Sequence, residues 1–135
     1  MTLRYLLDTN IVVFALRTRA QSLRSRFSAT QGMLAVSTIT VGELAYGAER
    51  SERRDQNHAA VSEFLALLEV LPLDAAAAHH SGRIRAELGM LGTPIGAYDA
   101  LIAGQARSQG LVVVTNNLRE FQRVDGLLVE DWGRG

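Results

Sequence analysis

The sequence contains no cysteine and no lysine, and its charges cancel. Without cysteine, neither a disulfide framework nor a thiolate metal site can form, and nothing ties the chain to an oxidising compartment. Fourteen basic residues balance fourteen acidic ones, so bulk charge neither requires nor excludes a nucleic-acid partner. No window approaches the ~20 consecutive apolar residues of a membrane span. We therefore expect a cytoplasmic protein with no membrane association.

Length and composition are those of one ordinary globular domain. The chain has 135 residues, of which 47% are hydrophobic and 21% are charged, so residues 1–135 can form a single domain with a sizeable core. Short apolar runs at 3–7, 33–37, 70–73, 111–114 and 127–129 predict strands, and helical periodicity fills the segments between them. This alternation predicts an α/β fold with a central parallel sheet of about four to five strands and helices on both faces.

Acidic residues are predicted to gather at one edge of this sheet. Asp8 directly follows the first apolar run, and Glu43 lies in the first turn of the helix predicted after the second run. Because helix N-termini that follow parallel strands share the carboxyl edge, Asp8 and Glu43 should meet there. Glu120, just after the turn at 115–117, returns to the same edge. The position of Asp99 is less constrained, because its helix follows another helix rather than a strand.

Each acid also has an explanation that involves no chemistry. Asp8 can cap a helix N-terminus, and the Thr40-x-x-Glu43 spacing matches a capping box. However, clustered carboxylates without a nearby lysine repel one another, and such a cluster persists mainly around a divalent cation. Mg²⁺, for which Mn²⁺ is a plausible substitute, prefers oxygen ligands and can supply a hydroxide that attacks a phosphate. The pattern therefore favours phosphodiester hydrolysis.

Four segments resemble the successive motifs of PIN-domain nucleases. They are Leu6-Leu7-Asp8-Thr9-Asn10, Ser37-x-x-Thr40-x-x-Glu43-Leu44-x-x-Gly47, Ile95-Gly96-x-x-Asp99-x-x-Ile102-Ala103 and Val114-Thr115-Asn116-Asn117-x-x-Glu120-Phe121. In this order they span residues 6–121. The closing segment at 124–132 is similar to the ending of the VapC branch of this family, which comprises the ribonuclease toxins of bacterial and archaeal type II toxin–antitoxin pairs.

The resemblance implies a single PIN-like domain and an Mg²⁺-dependent endoribonuclease, with tRNA as one candidate substrate. Asp8, Glu43 and Asp99 match the family's acids and are the expected metal ligands, and Glu120 is a further candidate catalytic residue. The polar residues expected to support the site are Asn10, Thr115 and Asn117. Asn117 departs from the family pattern, because many members have an aspartate there. That ligand is therefore either absent or replaced by Glu120.

Arginine clusters flank the proposed acidic edge. Arginine suits bidentate phosphate contacts, and the pairs nearest the motifs are Arg17 with Arg19 and Arg119 with Arg123. We expect these four to bind the RNA backbone, with solvated helix faces as the alternative. The resemblance further implies a homodimer and a hetero-oligomer with a VapB-type antitoxin. The apolar stripe at Val61, Phe64, Leu65 and Leu68, with the short helix of Ile11 and Phe14, is the predicted surplus surface for such partners.

Other functions are possible for an aspartate that follows a strand. A receiver or phospho-aspartyl phosphatase domain would use a lysine, which this chain lacks, and a serine hydrolase would need a Gly-x-Ser-x-Gly elbow, which is absent. The stronger alternative is a catalytically weakened PIN-fold module that binds RNA or a protein. Metal-dependent cleavage of an RNA mixture would separate that alternative from the nuclease.

Overall fold

The computed structural model describes residues 2–133. Five strands and seven helices follow one another in that part of the chain. They are β1 (Tyr5–Leu7), α1 (Thr9–Thr18), α2 (Gln21–Ala29), β2 (Leu34–Ser37), α3 (Thr38–Arg50), α4 (Arg54–Leu65), β3 (Glu69–Leu71), α5 (Ala75–Met90), α6 (Ala97–Gln109), β4 (Val112–Thr115), α7 (Leu118–Phe121) and β5 (Val129–Asp131).

The strands form one sheet in the order β3-β2-β1-β4-β5, and every pairing is parallel. This confirms the predicted α/β class and the parallel sheet. Strands β2 and β3 follow β1 on one side of it, and the chain then crosses over so that β4 lies on the other side of β1. The strand order therefore reverses between β1 and β4, and such a switch point is where open α/β sheets form a crevice at their carboxyl ends.

The two faces of the sheet support separate cores, because side chains alternate along each strand. Leu7 and Val114 point to one face, which α1, α2, α3 and α4 cover together with Trp132. Leu6 and Val113 point to the other face, which α5, α6 and α7 cover. These central strands are buried on both sides and consist almost wholly of apolar residues, as is usual for interior parallel strands.

Helices α5 and α6 pack closely because small residues meet between them. The Ser81 hydroxyl donates to the carbonyl of Ala77 at 3.0 Å and to that of Ala100 at 2.9 Å. A Cβ atom on Gly104 would lie 2.1 Å from Ser81 Oγ and 2.6 Å from the backbone nitrogen of Ser81. Only glycine at position 104 therefore allows the two helices to approach this closely. The contact fixes the first turn of α6, and with it the position of Asp99.

Two local predictions are wrong, and the predicted surplus apolar surface is present only in part. Helix α3 begins at Thr38 with Ser37 as its N-cap, so Thr40 and Glu43 form no capping box and Glu43 lies in the second turn. The last strand is Val129–Asp131 rather than 127–129. The stripe of four apolar residues on α4 and after it is partly buried against the first core, as is Phe14, whereas Ile11 is fully buried there. Periodicity alone does not specify where a helix or a short strand begins, or how far an apolar stripe is covered.

Within residues 2–133, no helix is both long and apolar enough to cross a membrane.

Candidate active site

Parallel pairing aligns polar side chains along the carboxyl edge of the sheet. Leu7 of β1 is paired with Val114 of β4, so the next residues, Asp8 and Thr115, are neighbours at the switch point. Thr115 is in turn paired with Asp131 at the end of β5. Strands β1, β4 and β5 are adjacent, and each is ended or directly followed by a residue with a side-chain oxygen. These three residues, Asp8, Thr115 and Asp131, lie together at the carboxyl edge of the sheet.

Asp8 is fully buried, and both of its carboxylate oxygens are used. Oδ1 accepts a hydrogen bond from the Ile11 amide at 2.8 Å, and Oδ2 accepts one from the Thr115 hydroxyl at 2.6 Å. Asp8 thus caps α1 and is held rigidly at the same time, so the capping explanation and the chemical one are compatible. Burial, followed by the negative charges of Glu43 and Asp131, raises the pKa of Asp8 to about 6, although the two hydrogen bonds act to lower it.

Glu43 is held by the residue that follows Asp8. Thr9 Oγ1 donates to Glu43 Oε1 at 2.6 Å and lies 3.0 Å from the Thr40 hydroxyl. The first residue of α1 therefore orients a carboxylate on the second turn of α3. This link explains how Glu43 reaches the edge even though it is farther along its helix than the sequence predicted.

Asp99 and Glu120 are neighbouring carboxyl groups that shift each other's pKa. Burial, the hydrogen bond with Glu120 and the charges of Glu120, Asp8 and Glu43 raise the pKa of Asp99 to about 7. The same hydrogen bond lowers the pKa of Glu120. The two carboxyl groups therefore titrate as a pair, in which the charge of one raises the pKa of the other, as expected when two carboxylates occupy one site.

Glu120 is fixed by neighbouring residues of two segments. Asn117 Nδ2 donates to Glu120 Oε2 at 2.9 Å, and the Gly96 amide approaches Oε1 at 3.4 Å. The backbone nitrogen of Asn117 also donates to Thr115 Oγ1 at 2.7 Å. Asn117 thus lies beside the acidic residues and acts as a donor to Glu120, and Thr115 connects it to Asp8. Asn10 is the second residue of α1, and its side chain is exposed to solvent.

Three of the four predicted RNA-binding arginines border this region. Arg17 lines a cleft together with Glu43, and Arg119 lines one with Asn117 and Asp131. Arg123 donates to the carbonyl of Pro94 at 3.0 Å, and its charge contributes to the lowered pKa of Glu120. These positions agree with the expectation that positive charge surrounds the acidic edge.

Arg19 lies elsewhere. It is the left-handed residue that ends α1, with φ of 50°, and it lines a groove between α2 and α4 with Phe27, Phe64 and Leu67. The four predicted acids do not line that groove. The prediction that Arg19 acts as a pair with Arg17 is therefore not supported by its position.

Sequence reasoning missed Thr9 and Asp131. Asp131 was overlooked because the last strand was predicted two residues too early; with the correct register, the rule that acids follow parallel strands would have included it. Its charge raises the pKa of Asp8, and its Oδ1 accepts from the Gly133 amide at 2.8 Å. Thr9 gave no such signal, since a threonine at the start of a helix is ordinary.

The sequence matches the model of the PIN domain family over residues 5–127. It is 50% identical over 130 residues to the tRNA(fMet)-specific endonuclease VapC of Shigella flexneri, covering 96% of this chain and 98% of that protein. The chain belongs to the VapC family of PIN-domain ribonucleases. Ribonuclease VapC2 of Haemophilus influenzae is 48% identical with the same two coverages.

Solved structures of VapC-family proteins have the same fold. A DNA-bound VapBC structure from Salmonella typhimurium aligns with a TM-score of 0.94 at 50% identity, covering 96% of this chain and 98% of that one. A member of the VapBC family of toxin–antitoxin systems from Mycobacterium tuberculosis aligns with a TM-score of 0.70 at 25% identity and 96% coverage of both chains. The backbone described above is therefore that of a VapC-family protein over nearly its whole length.

The donor chemistry of this VapC-family site suits a hard divalent cation. Every candidate ligand is a carboxylate oxygen, and burial, together with the neighbouring negative charges, raises the pKa values of Asp8 and Asp99. Within residues 2–133, no three carboxylate, imidazole or thiol side chains already stand as a set that could hold a metal ion. The residues nevertheless fit the cation by the type and the charge of their side chains.

Proposed function

We propose that the protein is an Mg²⁺-dependent endoribonuclease and the toxin of a toxin–antitoxin pair, with tRNA as its substrate class. The observation that supports this best is electrostatic: burial and the charges of Asp8, Glu43 and Glu120 act together to raise the pKa of Asp99 to about 7. An energetically costly concentration of carboxylates is a mark of a functional site. The tRNA substrate follows from the name of the relative in Shigella flexneri.

In this proposal Asp8, Glu43 and Asp99 hold the metal, for which Mn²⁺ is a substitute. When bound, the cation supplies an activated hydroxide and stabilises charge on the phosphate. The contribution of the chain is positioning: Thr115 and the Ile11 amide hold Asp8, and Thr9 holds Glu43. Glu120 lies beside Asp99, and the proton that Asp99 holds leaves to solvent when the pair ionises.

The direct test is to incubate the purified protein with total RNA in the presence of Mg²⁺ or of EDTA and to sequence the new RNA ends. The proposal predicts ends at few positions, concentrated in tRNA, that require Mg²⁺. Random ends, or the same ends in EDTA, would argue against it.

A catalytically weakened binding module is the alternative, and Asn117 is the feature that favours it. Its side chain donates to Glu120 and adds no charge, whereas many family members have an aspartate there. Binding of RNA without any Mg²⁺-dependent ends in the same experiment would support this alternative. An Asn117→Asp variant that gained cleavage would then identify the missing charge as the cause.

The arginines at the acidic edge should bind the RNA backbone. Replacing Arg119 and Arg123 by glutamine should weaken binding similarly for all sequences and reduce the dependence of log K on log salt by about 1 to 2, since each phosphate contact releases counterions. Fluorescence anisotropy at several salt concentrations measures both effects. Arg19→Gln is the matched control and should leave the slope unchanged, because Arg19 lies in the groove between α2 and α4.

An antitoxin is the expected protein partner, since the structural neighbours with the same backbone are VapBC structures. The groove between α2 and α4 suits an apolar helix from such a partner. It has a volume of about 490 Å³, and Leu16, Phe27 and Phe64 lie along it with Leu67, which is 76% exposed. Exposed apolar surface of this kind marks interaction sites.

Leu67→Glu should therefore reduce affinity for the product of the neighbouring gene by at least about 10-fold, because it introduces a charge into an apolar contact. Calorimetric titration measures the affinity, and light scattering reports the mass of each species. Leu128→Glu is the control, since Leu128 is 62% exposed and is not one of the residues that line the groove. Equal loss in the two variants would contradict the assignment of the groove.

A further inference from the structure

A third cleft adjoins the acidic edge and is lined by two exposed tyrosines. It has a volume of about 610 Å³, which is within the range of small-molecule sites. Its lining residues are Thr38, Ile39, Gly42, Glu43, Tyr46 and Tyr98. Tyr46 is 63% exposed and Tyr98 is 58% exposed. Two large aromatic rings thus flank a proposed metal ligand without being needed for either core.

Helix α3 presents this cleft in a regular order. Glu43, Tyr46 and Arg50 are spaced by three and four residues, so they lie on one side of the helix. Tyr46 is displaced from Glu43 by about 4.5 Å along the axis, at 1.5 Å per residue. A carboxylate, an aromatic ring and a positive charge therefore follow one another outward from the acidic edge.

Arg50 holds the Tyr46 ring. Its Nη1 donates to Tyr46 Oη at 2.9 Å, and its Cζ lies 5.7 Å from the ring centroid. The hydrogen bond and the cation–π contact reduce the freedom of both side chains. On the other side of the cleft, Tyr98 directly precedes Asp99 in the first turn of α6, so its position is fixed by the same helix that carries the proposed ligand.

We propose that this cleft binds an unpaired nucleobase of the RNA next to the scissile phosphate, with Tyr46 and Tyr98 as stacking surfaces and Arg50 as a contact for the adjoining phosphate. The inference rests on the proposed nuclease function and extends it to substrate binding. Single-stranded RNA is recognised through bases that stack on aromatic side chains, while arginine tracks the backbone. Two aromatic rings and Glu43 line the cleft, and Arg50 is held beside one of the rings. This combination matches that chemistry better than an apolar protein partner, which would have to cover Glu43.

The test uses single-stranded RNA of about 12 nucleotides, a length within the site sizes of such proteins, labelled centrally with 2-aminopurine. Binding is measured in the Asp99→Asn background, where the RNA is not cut. Tyr46→Leu and Tyr98→Leu should each weaken binding by roughly 5- to 100-fold and relieve the fluorescence quenching that stacking causes. Tyr46→Phe should keep most of the affinity, because it retains the ring. Leu128→Ala is the matched control for loss of exposed apolar surface.

Two results would overturn the inference. One is that the tyrosine variants bind the RNA as tightly as the Leu128→Ala control does. The other is that light scattering shows Tyr46→Leu changing the oligomeric mass while RNA affinity stays the same, which would make the cleft a contact between copies of the chain. Neither result bears on the proposed nuclease itself, which would fail only if the Asp99-containing protein produced no Mg²⁺-dependent RNA ends.

Discussion

Asp99→Asn should lower RNA cleavage by roughly 100- to 1,000-fold or more, which is the usual cost of removing an electrostatic group at a reaction centre. The variant should remain folded, because asparagine has nearly the same volume and Asp99 is only partly buried. Asp8→Asn and Glu43→Gln should have effects of similar size. Cleavage of a defined RNA at saturating Mg²⁺ measures the loss, and circular dichroism checks the fold.

Glu120→Gln provides the comparison. Glu120 contacts Asp99 and is held by Asn117, so the glutamine variant should lose less activity than Asp99→Asn. A loss equal to that of Asp99→Asn would make Glu120 a ligand in its own right. Wild-type activity in Asp99→Asn would mean that the catalytic site has been assigned to the wrong residues.

The metal-free protein should become less stable as the pH rises from about 4 to about 7. The pKa of buried Asp8 is raised from 3.8 to about 6, so the folded state binds more protons than the unfolded state in this window, and stability must fall as they are lost. At 1.36 kcal/mol per pKa unit, Asp8 alone accounts for roughly 3 kcal/mol. Asp99, whose pKa is raised to about 7, acts in the same direction. The melting temperature in EDTA should therefore drop by at least about 5 °C between pH 5 and pH 8.

Mg²⁺ should reverse this loss, and it should do so more strongly at pH 8 than at pH 5, because a cation competes with the protons for the same carboxylates. At about 100 times the dissociation constant, binding to the folded state alone adds about 2.7 kcal/mol. Asp8→Asn should flatten the pH dependence, whereas Asp55→Asn, which alters an exposed acid in the first turn of α4, should leave it unchanged. A Mg²⁺ effect of the same size at both pH values would contradict the proposed competition.

The fold and part of the site follow from local patterns in the sequence. Buried apolar runs specified the interior strands, and the parallel arrangement then implied that Asp8 and Glu43 share an edge. The Asp8 cap and the helix ends at glycines such as Gly110, with φ of 69°, depend on residues close in sequence. Such local signals are the ones that periodicity and capping rules capture.

The remaining features depend on contacts between distant residues. Asp99 reaches the edge because Ser81 and Gly104 hold α5 against α6, and no local pattern encodes that approach. The bond from Thr9 to Glu43 joins residues 34 positions apart. Asp131 depends on the register of a three-residue strand, for which an error of two residues is enough to hide the signal. Tertiary packing thus determines the positions of Asp99, Glu43 and Asp131, which local sequence patterns do not specify.

Mn²⁺ binding to the intact protein, measured by electron paramagnetic resonance at pH 8, is the decisive test of the proposed metal ligands. We expect at least one Mn²⁺ site per chain, displaced by Mg²⁺, with affinity at least about 10-fold weaker in Asp8→Asn, Glu43→Gln and Asp99→Asn, as for other losses of metal-site residues. Asp55→Asn should bind as the wild type does. Equal Mn²⁺ affinity in the wild type and all three carboxylate variants would contradict the claim that Asp8, Glu43 and Asp99 jointly hold the metal.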